Sequence, residues 1–315
     1  MDVATQKLRN FVVVAEELNF SRAAGRLFVT QQALSKQLRD LEDAVGVRLL
    51  DRTTRSMALT PAGEAFLASA RESLAALDAG VAAARSAGRG GSGTVRLGFL
   101  TGGALELTTP ILAAFAARHP DIRLELRETA FDDPSAGLAD GSSDVAIVRL
   151  PLSVPGLDSL TLFVEPLVVG LPPRHRLAGR STLTAEDVLD EPLAIGRTTD
   201  AVWRAYWTLD AQRGGRPPAS VRETSSHTEE MQLVAAGLAC TITIAGAERH
   251  TPLAGVRYVP LTGVPGSNVA VAWRRDHRTT GVDHFVTVAR EVRDRERAIV
   301  RAIERPTSAG RGAGA

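Results

Sequence analysis

Four polar side chains crowd the start of one short amphipathic segment: Gln31, Gln32, Ser35 and Lys36. Gln can pair bidentately with adenine, and Lys can reach the acceptor atoms of guanine. A helix that begins at this point would also favour phosphate through its dipole. The chemistry that these residues could carry is therefore recognition of a DNA duplex, with Arg39 further along the same polar side.

The elements that must position these side chains are two short helices joined by a tight turn, predicted over residues 20–42. Ser21 and Thr30 are residue types that favour helix N-caps, and we expect them to begin the two helices. In the second helix the apolar residues fall on one stripe: Leu34, Leu38, Leu41 and Val45. Such a helix, held at an angle on a companion helix, fits the major groove. The alternative is an ordinary solvated face.

The residues after Gly46 predict a small hairpin. Two short strands are expected at residues 47–50 and 57–59, with Arg52 and Arg55 in the polar turn between them. Arginine favours the narrow, negative minor groove, so the hairpin is typical of the wing beside a helix-turn-helix. The alternative for both arginines is a role in surface solubility.

Residues 1–64 resemble the winged helix-turn-helix of LysR-type transcriptional regulators. The resemblance rests on LRNFVVVAEELNFSRAAGRL and TQQALSKQLRDLEDAVGVRLLDRTTRSMALTPAG, with a DNA-binding domain expected at residues 1–60. Two positions depart from the family: Gln32 replaces its usual Pro, and Lys36 its usual Arg. The expected DNA-binding residues are Thr30, Gln31, Gln32, Ser35, Lys36, Arg39, Arg52 and Arg55.

A long helix is predicted to follow, beginning at Thr60-Pro61 and running to about Ser86. Apolar and small residues recur along it in steps of four and three: Gly63, Leu67, Ala70, Leu74, Leu77, Val81 and Ala84. This heptad seam predicts pairing with a second chain, and the alternative is packing onto its own domain. The Gly-rich run up to Gly93 predicts a hinge, so residues 61–93 form a dimerisation helix and linker.

From Thr94 onward strands alternate with helices, which predicts an α/β domain with mostly parallel sheets. Residues 94–300 resemble the effector domain of the same family, through TVRLGFL, DVAIVRLP, LPPRHRLAG and LVAAGLACTI. The resemblance implies two lobes like a type 2 periplasmic binding protein. Lobe I is expected at 94–163 and 268–300, and lobe II at 164–267. Residues 301–315 are predicted to be disordered.

Ligands of open α/β sheets bind beyond the carboxyl ends of strands, and seven residues are predicted to lie there. They are Thr101, Gly102, Thr129, Arg149, Arg197, Thr199 and His227. Three of them can be cationic, which would suit a carboxylate, and the backbone amides at Gly102 could hold an anion. The alternative for each residue taken alone is a surface or capping role.

Composition limits the alternatives. A formal net charge of +1 excludes a uniformly basic coat, so DNA contact must come from a local patch. No apolar run is long enough to span a membrane, and the first ten residues lack the apolar core of a signal peptide. The single Cys240 excludes an internal disulfide, fits the cytoplasm and lies in an apolar run, which predicts a buried structural thiol.

The sequence is therefore interpreted as a LysR-type regulator that binds an inverted-repeat operator as a homodimer or homotetramer. It would respond to a small, anionic effector and need no cofactor, metal or catalytic residue, since the six histidines lack metal-ligand spacing and no phosphate loop occurs. The alternatives are an effector-independent regulator, a solute-binding protein, or an enzyme of the two-lobed fold. The DNA module argues against the second, and the missing catalytic constellation against the third.

Overall fold

A computed structural model describes residues 4–52, 57–88 and 93–305. The chain divides into two compact units, Met1–Arg85 and Ser86–Ala315. The boundary falls inside the predicted linker of residues 61–93. None of the helices in the described ranges is long and apolar enough to cross a membrane.

The first unit contains a three-helix cluster, a hairpin and a long helix. Its elements are α1 (Thr5–Glu17), α2 (Phe20–Arg26), α3 (Gln31–Val45), β1 (Leu50–Arg52), β2 (Met57–Leu59) and α4 (Pro61–Gly88). The predicted stripe of α3 faces the core: Leu34, Leu38 and Leu41 are buried in one cluster with Phe11 of α1, and Val45 is half-buried beside it. Thr30 caps α3 as predicted, its Oγ1 accepting from the N–H of Ala33 at 3.2 Å.

Two boundaries in this unit differ from the prediction. Asn19, not Ser21, caps α2, and its side chain accepts from the N–H of Arg22 at 3.0 Å. The first strand begins at Leu50 instead of residue 47, because the Glu42 carboxylate takes the N–H groups of Leu49 and Leu50 at 2.9 and 3.1 Å. Those hydrogen bonds hold the entry to the hairpin against α3.

The first half of the predicted seam on α4 packs within its own unit, and the second half is exposed. Gly63 and Ala70 are buried within the unit, and Leu67 packs against its core, so the prediction of an intermolecular seam was wrong for this half. Gly63 is required there because a Cβ atom would lie 2.0 Å from the carbonyl oxygen of Leu49. Further along, Leu77 and Val81 are 44% and 40% exposed. The side chain of Ala84 lies outside the described residues.

The second unit is built on mixed sheets. Its strands are β3 (Thr94–Leu100), β4 (Arg123–Thr129), β5 (Val145–Leu150), β6 (Leu157–Glu165), β7 (Leu167–Leu171), β8 (Leu183–Thr184), β9 (Leu193–Gly196), β10 (Val221–Thr224), β11 (Thr241–Ile244), β12 (Arg257–Thr262) and β13 (Ser267–Arg274). Its α-helices are α5 (Thr108–Arg118), α6 (Ala185–Val188), α7 (Ala201–Trp207), α8 (Asp210–Arg213), α9 (His227–Ala235), α10 (Ala247–His250), α11 (Thr280–Arg295) and α12 (Arg297–Ile303), with 3-10 turns at Leu105–Leu107 and Arg275–His277.

Two lobes follow from the strand order. One sheet has the order β4-β3-β5-β13-β6; another has the order β11-β7-β12-β8, beside the parallel pair β9 and β10. The prediction of mostly parallel sheets was wrong: β13 runs antiparallel to β5 and β6, and β7 runs antiparallel to β11 and β12. The chain enters the second lobe after Glu165, where β6 ends. It returns to the first lobe at Ser267, where β13 begins.

The last two helices, α11 and α12, pack on the lobe that contains β3 and β13. α11 contributes Val282 and Phe285 to the core around Phe115, and α12 contributes Ile303. The predicted disorder of residues 301–315 was therefore wrong for residues 301–303, since Ile303 is buried. Residues 306–315 lie outside the described ranges.

Candidate functional sites

The polar face of α3 is the candidate nucleic-acid interface. Gln31, Gln32, Lys36 and Arg39 are exposed, Ser35 is half-buried, and Thr30 is exposed at the cap. Because Leu34, Leu38 and Leu41 on the opposite side of the helix are fully buried, these side chains project from the unit at the N-terminal end of α3. This arrangement presents amide and cationic groups together at the positive end of a helix dipole.

Ion pairs engage both arginines of α2. Arg22 and Arg26 of α2 both pair with glutamates of α1, at 3.1 Å to Glu17 and 2.9 Å to Glu16. Arg39 instead donates to the backbone oxygen of Ser35 at 3.3 Å, which directs its guanidinium along the helix. The positive charges of Arg22 and Arg26 are thus neutralised by glutamates of α1.

Two positioning residues were missed by the sequence analysis. Asn10 is buried in α1, accepts from Gln6 at 3.0 Å and donates to Gln37 of α3, which joins the two helices. Glu42 fixes the hairpin entry, as described above. The sequence does contain a signal for Asn10, because an asparagine interrupts the apolar stripe of α1. The spacing of residues around Glu42 gives no signal for its role.

Of the two predicted wing arginines, Arg52 ends β1 and is therefore in the strand and not in the turn. Its side chain and the whole of Arg55 lie outside the described residues.

The cleft between the two lobes of the second unit is the candidate ligand site. It encloses about 670 Å³ of empty space, its open mouth included. Four of the seven predicted residues line it: Thr101, Gly102, Arg149 and His227. Thr129, Arg197 and Thr199 do not line it.

The three excluded residues have other surroundings. Arg197 is exposed and faces Glu223 at 3.7 Å. Thr199 is exposed, and Thr129 donates to the backbone oxygen of Asp133 at 3.4 Å. The three predicted cationic groups therefore do not converge. Arg149 and His227 reach the cleft, and Arg197 does not.

Arg149 is buried where the chain crosses between the lobes. Its Nη1 donates to Oε2 of Glu165 at 2.9 Å and to Oγ of Ser267 at 3.2 Å. The other Glu165 oxygen accepts from the N–H of Gly246, in the second lobe, at 2.6 Å. The guanidinium thus lies at the cleft wall with its charge already balanced by a fully buried carboxylate.

An acidic residue of the cleft was also missed. Glu230 lines the cavity, accepts from Thr241 and lies 3.6 Å from Nδ1 of His227. The other ring nitrogen of His227 is 2.8 Å from Oγ1 of Thr251. The His227 side of the cleft therefore carries a carboxylate, and this wall is not purely cationic.

The remaining wall is mainly aliphatic and aromatic. Trp203 and Trp207 of α7 lie with their ring centroids 5.6 Å apart, and Phe131 of the other lobe lies 5.9 Å from Trp203. Gly196 is required beside Phe131, because a Cβ there would be 2.5 Å from the ring. The spacing of the tryptophans four residues apart is also that of an ordinary core stripe, so the sequence did not single them out.

Cys240 is a buried structural thiol, as predicted. Its Sγ lies 3.4 Å from the backbone oxygen of Pro192, and burial raises the pKa of the thiol to about 12. Because the thiolate is the nucleophilic form, this cysteine is inert at neutral pH. No cluster of three or more metal-ligating side chains occurs among the described residues.

A helix-turn-helix unit joined to a two-lobed unit with a ligand-sized cleft defines a ligand-responsive DNA-binding regulator. Comparison with known families agrees: residues 5–64 match the bacterial regulatory helix-turn-helix protein, lysR family, and residues 88–294 match the LysR substrate binding domain. The chain belongs to the LysR family of transcriptional regulators.

Individual proteins show the same likeness along nearly the whole chain. The regulator AlsR of Bacillus subtilis is 32% identical over 90% of this chain and 94% of its own. The Hca operon transcriptional activator HcaR of Escherichia coli is 34% identical over 90% of this chain and 96% of its own. The solved structure of a mutant OxyR of Corynebacterium glutamicum, with H2O2 bound, is 26% identical, with a TM-score of 0.53 over 96% of each chain.

Proposed function

We propose that this regulator reads an inverted-repeat operator by placing α3 in the major groove of each half-site. The observation that carries the proposal is the exposed amide and cationic end of α3 opposite the fully buried Leu34, Leu38 and Leu41. Sequence preference would come from Gln31, Gln32, Ser35 and Lys36, bordered by Thr30 and Arg39. Arg52 and Arg55 would add affinity that does not depend on sequence.

An inverted repeat requires two copies of the recognition helix, with half-sites about 34–36 Å apart. The exposed apolar pair Leu77 and Val81 on α4 supports a homodimer formed through the C-terminal half of that helix, alone or within a homotetramer. Exposed leucine and valine four residues apart on one helix face are the pattern that a paired helix buries.

The cleft would hold a small, anionic effector that changes operator binding. Arg149 supports this assignment because its guanidinium lies at the cavity wall. His227 and Thr101 line the same cavity, with the Thr101 hydroxyl donating to Glu128 at 2.7 Å. An effector-independent regulator is the alternative. A thermal-shift screen of the full chain with small carboxylates separates the two, since only an effector site gives a saturable rise in melting temperature.

We also infer that the cleft binds its ligand without transforming it. The Cys240 thiol is un-ionised, and the Glu230 carboxylate is engaged by Thr241 and faces His227. Both relatives named above are transcriptional regulators by name. The place of action would be the cytoplasm, where a bacterial regulator meets its DNA.

The test is selection of bound sequences from a random duplex library by the purified full chain. We expect enrichment of an inverted repeat, and protection of both half-sites in a footprint. A triple variant with Gln31, Gln32 and Lys36 changed to Ala should enrich nothing while retaining its melting temperature. Equal enrichment by this variant and the parent chain would contradict the proposal.

A further inference from the structure

Phe28, in the turn between α2 and α3, is the most exposed large apolar side chain among the described residues. Its exposed fraction is 96%, whereas the next most exposed, Leu126 of β4, is at 52%. The preceding Leu27 packs against the core of the unit, and the ring of Phe28 is left in solvent. Phe28 therefore gives the fold almost nothing through burial.

The backbone of Phe28 is also unfavourable for a bulky residue, since its φ of 54° lies in the left-handed region. The turn holds it there: the N–H of Phe28 donates to the oxygen of Gly25 at 3.3 Å, and the N–H of Val29 to that of Ala24 at 3.0 Å. Glycine and asparagine adopt this conformation at lower cost. Either would make the same turn with less strain.

The other non-glycine residues of positive φ in the described ranges have a compensation that Phe28 lacks. Leu105, Ala136 and Leu209 are buried, so apolar contact offsets their strain. Leu18 ends α1, and its N–H completes the helix cap. A residue that is strained and yet makes almost no contact in its own unit indicates a contact outside that unit.

The position of Phe28 identifies what that contact is. It precedes the N-cap Thr30 of α3 by two residues, so its Cα lies within about 7 Å of the cap. Beside the turn, Oγ of Ser21 donates to Oε1 of Gln31 at 3.3 Å, which joins the starts of α2 and α3. A recognition helix meets base edges with this end, so the exposed ring is continuous with the proposed DNA interface.

The chemistry of the ring restricts its target on DNA. A phenyl ring has no hydrogen-bond donor or acceptor, so it cannot replace the polar contacts that Gln31, Gln32 and Lys36 offer. The apolar feature that a base pair shows in the major groove is the C5-methyl group of thymine, and Phe is among the side chains that contact it.

We propose that Phe28 packs its ring against a thymine methyl group in each operator half-site and so specifies thymine at that position. This inference rests on the proposed placement of α3 in the major groove and adds one specificity residue to it. Because the contact is apolar and releases no counterions, it does not contribute to the salt dependence of binding.

The experiment is a double-mutant cycle between Phe28 and the selected operator. Each thymine of one half-site is replaced in turn by deoxyuridine, which lacks only the methyl group. One replacement should weaken binding of the parent chain by about fourfold, the effect of withdrawing one methyl group from apolar contact. Phe28→Asn should weaken binding to the unmodified operator by roughly tenfold through its two copies, with an unchanged salt slope, and should not respond to that replacement.

Matched variants separate a DNA contact from a structural role. Phe28→Asn should melt at or above the temperature of the parent chain, because asparagine relieves the strained turn. Phe28→Tyr keeps the ring and should bind within about twofold of the parent chain. Leu126→Asn removes an exposed apolar side chain of the second unit and should leave operator affinity unchanged.

Three results would overturn the inference. Phe28→Asn binds as tightly as the parent chain, or it melts well below it, or its loss is equal on the thymine and deoxyuridine operators at every position. Lys36→Ala on the same operators keeps this outcome separate from the proposed function. If Lys36→Ala loses base discrimination while Phe28→Asn loses nothing, α3 reads the operator and only the role of Phe28 is wrong. If neither variant changes binding, the proposed function fails as well.

Discussion

Nη1 of Arg149 lies 2.9 Å from Oε2 of Glu165, and this ion pair is buried at the point where the chain crosses from one lobe to the other. Through its second oxygen Glu165 also holds Gly246 of the second lobe. One carboxylate therefore connects the cleft-lining arginine to the backbone of the second lobe.

The first prediction concerns that ion pair. Glu165→Gln should lower the free energy of unfolding by about 3 kcal/mol, because breaking a buried pair leaves an uncompensated charge. Chemical denaturation followed by circular dichroism measures the loss. Glu291→Gln breaks the half-exposed pair with Arg118 and should cost less than about 1 kcal/mol. Equal losses in the two variants would show that burial of Arg149 has no special cost.

The second prediction concerns Gly63 at the start of α4. Gly63→Ala places a Cβ against the carbonyl of Leu49, which cannot move without shifting the hairpin, so we expect a loss of about 1–3 kcal/mol. Gly80→Ala is the matched control on the same helix. No atom of the described residues lies within 4 Å of its added Cβ, and it should stabilise by about 0.5–1 kcal/mol. Stabilisation by both changes would contradict the close contact.

The third prediction concerns the stacked rings of His119 and His284, whose centroids are 4.2 Å apart. Burial lowers the pKa of His119, and the charges of His284 and Arg118 lower it further. The folded state thus disfavours protonation. This contribution to stability is present above the ordinary histidine pKa and is lost as pH falls toward the lowered value.

Nuclear magnetic resonance titration of the histidine rings checks this prediction. The pKa of His119 should lie below that of an unfolded reference peptide and should rise in His284→Gln. His175→Gln, in the second lobe and paired with Glu191, should leave it unchanged. A His119 pKa at or above the reference value would contradict the argument.

The fourth prediction concerns the exposed apolar pair of α4. Changing Leu77 and Val81 together to Asp would put two charges into the proposed dimer seam, so sedimentation at micromolar concentration should show a smaller species. Operator affinity should fall by more than any single base contact contributes. Ala76→Asp, on the opposite side of the helix, is the control. Unchanged mass in the double variant would place any dimer contact elsewhere.

Helices α3 and α4 show which features of the fold could be predicted from the sequence. The stripe through Leu34 and Leu38 and the cap at Thr30 could be predicted because helical spacing and N-cap chemistry are local properties. On α4 the same heptad spacing covers Ala70, buried in its own unit, and Leu77, left exposed. Periodicity identifies an apolar face but not the partner that covers it.

The cleft was predicted less completely. Arg149 and Arg197 both end or follow a strand, yet only the first faces the cavity, because strand position does not tell which side of a sheet edge meets the other lobe. Trp203, Trp207 and Glu230 became cleft residues only through the packing of α7 and α9. Their roles depend on contacts between residues far apart in the chain, which spacing does not encode.

The central claim is that α3 reads the operator, and Lys36→Ala tests it most directly. Lys7 is the other lysine of the chain, on α1, so Lys7→Ala removes the same charge outside the proposed set of contact residues. Binding of each variant to the selected operator and to single-base variants of it would be measured across a range of salt concentrations. Lys36→Ala should lose about 1–3 kcal/mol of discrimination at one base pair, and Lys7→Ala should lose none. Full sequence preference in Lys36→Ala, or an equal loss in both variants, would contradict the account.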